Sequence, residues 1–169
     1  MGALDLYAVH SDLPTSNWNG IGDWGIMASG NWNGNGAIPA LPSSSTLDLI
    51  GVKRGIQVTP IDSNYTIEGI SEAGSYLEIP IAPNEWVRFT LRVDSGFDSG
   101  LPGFGVIVEI QDQNNGDARN NLVNTDPDKA WLKIIEADGD AALQRGRDSG
   151  VPGDAFSQGD QLGANGMQI

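Results

Sequence analysis

The chain opens with MGALDLY, in which Gly2 stands three residues ahead of Asp5 and Tyr7 follows two residues later. A second stretch, WGIMASG (residues 24–30), sets Met27 in a run of Gly, Ser and Trp, where a long apolar side chain is out of place in a loop. Together the two stretches suit the surroundings of a metal ion. One plan for hydrolytic zinc sites sets two His and a general-base Glu on a helix, which a glycine then breaks. A third ligand sits three residues beyond that glycine, and a Met-containing turn passes beneath the metal. The glycine is needed because the chain must turn sharply there, often through φ > 0. The third ligand completes three protein contacts and leaves one position for water. The methionine is a soft apolar floor keeping the site dry on that side. Tyr7 would polarise a carbonyl or bind an oxyanion, or simply pack with its hydroxyl bonded.

These residues sit in a loop-rich segment, 1–45, marked by the turn signals Asn19-Gly20, Asn33-Gly34 and Asn35-Gly36. A serine of the run Ser43–Ser45 is placed to cap a short helix through STLDLIG. The remainder, 46–169, reads as short strands between turns: GIQVTP, NYTIEGI, SYLEIPI, EWVRFTLRV, GVIVEIQ and WLKIIEA. In EWVRFTLRV, Val87, Phe89, Leu91 and Val93 share one face, and Trp86, Arg88, Thr90 and Arg92 share the other. The polar, acidic stretch 111–129 predicts an exposed loop. The expected fold is mainly β: a loop-rich segment followed by a sheet or sandwich-like region.

At 169 residues the chain suits one domain or one large piece of a domain. Its 23 Gly and 9 Pro are spread along the sequence, as many turns require. Lys and Arg total 9 against 22 Asp and Glu, a net charge of −13 that repels phosphate backbones and argues against nucleic acid as a partner. The lack of cysteine excludes disulfides and thiolate metal sites. No run of about 18 apolar residues is present to span a membrane. Aspartates in Gly-rich loops suit hard cations, calcium above all. Candidates are Asp112, Asn114, Asp117, Asp126 and Asp128, then Asp138, Asp140, Asp148, Asp154 and Asp160. None forms an EF-hand: in DQNNGD the glycine, Gly116, is fifth and that loop needs it sixth. The single histidine, His10, reads as a surface or hydrogen-bonded residue rather than a ligand.

Five stretches, in order, resemble the immune inhibitor A family of secreted zinc metallopeptidases: MGALDLY, GIGDWGIMASGNWNG, EWVRFTLRVDSGFDSGLPGFGVIVEIQDQN, WLKIIEADGDAAL and GVPGDAF. The family's motif runs His-Glu-x-x-His-x-x-Gly-x-x-Asp, with a Met-containing segment later. The resemblance implies that Gly2 is the motif glycine, Asp5 the third zinc ligand, Tyr7 the tyrosine after it and Met27 the Met-turn residue. It implies the C-terminal part of a metzincin-like protease domain that begins inside the zinc motif. The N-terminal catalytic helix is then missing. The parent protein would be a bacterial-type secreted metalloendopeptidase acting on protein or peptide. Thr90 and Ile110 depart from the family, which often has Glu and His there. On this reading the isolated chain is inactive, and residues 1–45 are poorly ordered without the helix they would pack against. The alternatives are a non-catalytic β-sandwich module binding calcium, or glycan through Trp18, Trp24 and Trp32, and a degenerate remnant of an enzyme.

Overall fold

Strand alternation builds one mixed five-stranded sheet in the computed structural model, which describes residues 2–7, 18–58 and 64–162. The strands are β1 (Gly55–Gln57), β2 (Tyr76–Ala82), β3 (Glu85–Arg92), β4 (Gly105–Asp112) and β5 (Leu132–Ile135), and they lie side by side in chain order. β1 pairs parallel with β2, and every later pair is antiparallel. Asn84, at φ 65°, takes the left-handed position of the tight β2–β3 turn. Pro80 lies beyond the β1 pairing, where the register shifts between Pro80 and Ala82. A bulge or open edge is where a strand tolerates proline. Helix α1 (Ser44–Leu49) starts at the serine run, with Ser43 as N-cap accepting from the Thr46 N–H at 3.1 Å. Among the described residues no helix is long and apolar enough to cross a membrane.

The alternation of β3 holds, but its deeply buried face is the polar one. Arg88, Thr90 and Arg92 are at most 1% exposed, whereas on the other face Val87 is buried but Phe89 and Leu91 are only partly covered. Glu109 and Gln111 of β4 lie on the same inner face and are also buried. Glu109 stands opposite Arg88 in the register. Its carboxylate accepts from the backbone N–H and the hydroxyl of both Ser44 and Ser45, at 2.7–3.2 Å. Those N–H groups open α1 and have no partner within the helix. Arg88 in turn bonds Ser45 Oγ at 3.1 Å, Glu78 at 3.1 Å and Gln111, with Asp48 at 3.5 Å and the Trp86 ring 5.2 Å away. Arg92 pairs with the fully buried Asp98 at 2.9 Å, and its other nitrogen reaches the carbonyls of Trp24 and Pro42. Burial pushes the Asp98 carboxyl upward, against the opposing pull of Arg92.

Three expectations need correction. Residues 64–69, within NYTIEGI, carry no strand. The stretch 111–129 is not wholly exposed: Val123 and Asn124 are fully buried. Asn124 bonds the carbonyls of Leu6 and Leu132 at 3.0 Å and accepts from the Leu132 N–H at 3.1 Å, so one amide joins β5 to the N-terminal segment. That segment is also better packed than expected. Leu4, Leu6, Ile21 and Trp24 share one core with Ile107, Leu132, Ile134, Leu143 and Ala155. The described apolar residues Leu4, Leu6, Ile21 and Trp24 are thus buried by this chain's own sheet. The described residues form a single sheet rather than a sandwich.

Glu109→Ala would leave the backbone N–H and hydroxyl donors of Ser44 and Ser45, four in all, without their acceptor. The expected loss is about 3–5 kcal/mol, read from the midpoint of urea unfolding. Ser43→Ala, which removes only the cap, is expected to cost about 1 kcal/mol.

Candidate functional site

The two stretches singled out in the sequence meet in space. The Leu6 N–H donates to the Met27 carbonyl at 2.7 Å, and the Ile21 N–H donates to the Leu6 carbonyl at 3.2 Å. Gly20 makes the second contact feasible: at φ +64° it lies so close that a Cβ would sit 1.6 Å from the Leu6 oxygen. Met27 is partly buried against the main core. Asp5 is half-buried and held from two sides. Its backbone N–H donates to Asn121 Oδ1 at 2.9 Å, and Asn121 Nδ2 donates back to Asp5 Oδ2 at 2.6 Å. The Tyr7 hydroxyl donates to the same oxygen at 3.1 Å. Partial burial, with the hydrogen bond and charge of Asp5, raises the Tyr7 phenol above its usual range, so it stays a proton donor at neutral pH.

Gly2 does not act as expected. It is exposed, is not among the glycines at positive φ, and a Cβ there would meet nothing within 4 Å. Its backbone does not require a glycine. Trp24 is buried, and its indole N–H donates to Asp154 Oδ2 at 2.8 Å. Trp18 is buried too and Trp32 is exposed, so the three rings form no shared platform for a sugar. His10 lies outside the described residues.

The acidic candidates divide into two kinds. Asp112, Asp117 and Asp126 each bind N–H groups of their own turns: Asp112 takes Asn114, Asp117 takes Arg119 and Asn120, and Asp126 takes Asp128. The Asn120 side chain, then its backbone, holds the Asp117 carboxyl below its usual range. Asp140, Asp148 and Asp160 cap turns likewise. Asp138 differs. Among the described residues, one group of three or more acidic or imidazole side chains has ligand atoms within 4.8 Å of one another: Glu136, Asp138 and Asp154. Among the described residues, Asp5, Asp112, Asp117 and Asp126 belong to no such group.

The cluster forms where the turn after β5 meets the loop at 151–155. The Ala137 N–H donates to the Asp154 carbonyl, and the Asp138 N–H to the Gly153 carbonyl, both at 3.1 Å. Glu136 is 5% exposed and Asp154 0%, while Asp138 reaches solvent. Glu136 accepts from the N–H groups of Leu143 and Gln144 at 3.1 Å. Asp154 Oδ2 accepts from Trp24 and from the Val151 N–H, whereas Oδ1 has no partner among the described residues. Burial raises both carboxyls above the usual range. The nearby Asp154 adds to the effect at Glu136, and Asp148 and Asp138 add to it at Asp154. Sequence reasoning missed Glu136, which ends a strand and carries no turn signal. Its spacing in EADGD, two residues before Asp138, was the available clue.

Comparison with known protein families, with curated proteins and with solved structures finds no match to this chain.

Trp24→Phe keeps an aromatic ring but removes the indole donor from a buried carboxylate and leaves a small cavity. The expected cost is about 1–3 kcal/mol, measured by chemical unfolding with metal chelated throughout.

Proposed function

We propose that this chain is the C-terminal part of a secreted, metzincin-like zinc metalloendopeptidase, contributing Asp5 to the metal and Met27 to the floor of the site. The observation that carries the reading is the Leu6–Met27 backbone bond, which sets the Met27 turn directly beside Asp5. The surroundings of Asp5 fit a metal ligand. Carboxylate ligands are normally oriented by outer hydrogen bonds, and here Asn121 and Tyr7 supply them. The described residues offer one ligand at this place, so the His pair and the general base would come from a helix N-terminal to Gly2 in the intact protein. Zinc, when bound, supplies a Lewis acid and lowers the pKa of its water towards neutrality. The residues of this chain do the positioning. Asn121 fixes the Asp5 carboxylate, Tyr7 holds the same oxygen, and Met27 presents apolar surface that excludes water. Tyr7 is thus a positioning residue, and its exposed ring leaves its hydroxyl within reach of a substrate. The isolated chain would not hydrolyse peptide bonds.

A second reading, a non-catalytic β module that binds calcium, is favoured by the Glu136–Asp138–Asp154 cluster. It differs from the first in requiring no zinc.

The test is to express the intact polypeptide with its in-frame upstream sequence, then measure zinc content and hydrolysis of denatured casein. One zinc per chain is expected. Asp5→Ala should lose both zinc and activity, and Asn121→Ala should weaken metal binding or activity about 10–100-fold, with circular dichroism unchanged. Full zinc and full activity in Asp5→Ala would overturn the proposal.

A further inference from the structure

We propose that Glu136, Asp138 and Asp154 bind one calcium ion, which clasps the turn after β5 to the loop at 151–155. The inference stands on the cluster alone and does not depend on the zinc reading.

Oxygens bound to one calcium at about 2.4 Å sit no more than about 5 Å apart. The three carboxylates offer oxygens within 4.8 Å of one another, so one ion reaches all three with little movement. Such closeness is unremarked at a surface, where water screens the charges. Here Glu136 and Asp154 are withdrawn from water, and burying an uncompensated carboxylate is costly. Protein donors satisfy both oxygens of Glu136 and one of Asp154. Asp154 Oδ1 remains, fully buried and without a hydrogen-bond partner among the described residues. A cation beside it would supply the missing partner and the missing charge together.

The donor set selects the kind of ion. All three ligands are carboxylate oxygens, with no imidazole, and the chain has no thiolate. That favours a hard cation over zinc or copper. Ligands drawn from two loops, one of them exposed, suit the loose coordination of calcium better than the strict octahedron of magnesium. The loops lie close together: a Cβ on Gly153 would lie 2.5 Å from Asp138 Oδ2, so a larger residue there would push the Asp138 carboxylate aside. The ion would also steady the N-terminal segment, since Asp154 holds the indole of Trp24 and Trp24 precedes Met27 by three residues.

The test uses this chain, freed of metal by chelation. Terbium, a luminescent stand-in for calcium, is excited through tryptophan, because the Trp24 nitrogen lies 2.8 Å from Asp154 Oδ2. Calcium binding is followed by calorimetry and by Tm. The proposal expects one saturable site, terbium emission displaced by calcium, a Tm that rises with calcium, and a weaker response to magnesium. Asp138→Asn, at an exposed position that leaves the core intact, should weaken calcium at least tenfold, and Gly153→Ala should do the same by displacing Asp138. Asp117→Asn should leave the affinity unchanged. A wild-type Tm indifferent to calcium would overturn the proposal. Equal affinity in wild type, Asp138→Asn and Gly153→Ala would also overturn it.

Discussion

The carboxylate of Glu109, buried on the inner face of the sheet, is the point on which much of this structure depends. It faces Arg88 across the β3–β4 register and accepts the first N–H groups of α1. A six-residue helix has too few internal bonds to persist alone. The anion at its N-terminus and the Ser43 cap supply what propensity does not. Ser45 links the two charges, donating to Glu109 and accepting from Arg88, so the network acts as a unit. Its place in the fold has a consequence. α1 links the first segment to the sheet, so the position of Met27 and its neighbours rests partly on a charge carried by β4.

A second tie of the same kind lies closer to the candidate site. Arg92, on the same face of β3, holds Asp98 and touches the carbonyl of Trp24. The Trp24 indole then reaches Asp154 in the last described loop. Asn124 couples Leu6 to β5, and Asn121 couples Asp5 to the stretch before it. The segment bearing Asp5 and Met27 is thus held by side-chain bonds from residues 92, 121, 124 and 154. This explains how a chain with so many turns can present one carboxylate in a fixed direction. Long loops tied at buried polar points give up their freedom without forming regular structure.

Much of the sheet could be read from the sequence, because alternation and turn residues are local signals. β2, β3, β4, β5 and the cap of α1 fall where SYLEIPI, EWVRFTLRV, GVIVEIQ, WLKIIEA and the serine run put them. What covers each face is not local. Nothing within EWVRFTLRV says that Arg88 will meet a serine 43 residues earlier and a glutamine 23 residues later. The same limit applies to the sites. The pairing of Asp5 with Asn121 spans 116 residues, and the approach of Asp154 to Glu136 depends on two loops crossing. Ten acidic or amide residues in Gly-rich loops looked alike in the sequence. Their difference lies in burial: most bind their own turn, while Asp154 is enclosed with an oxygen left over.

On the proposed reading the Asp5 carboxylate, held by Asn121 and Tyr7, would bind zinc in the intact protein. The most direct measurement is an anomalous-difference map at the zinc edge from crystals of the intact polypeptide. The account predicts a single strong peak within coordination distance of the Asp5 carboxylate, with Asn121 still bonded to that group. A zinc peak elsewhere, with Asp5 bound only to Asn121 and Tyr7, would contradict it.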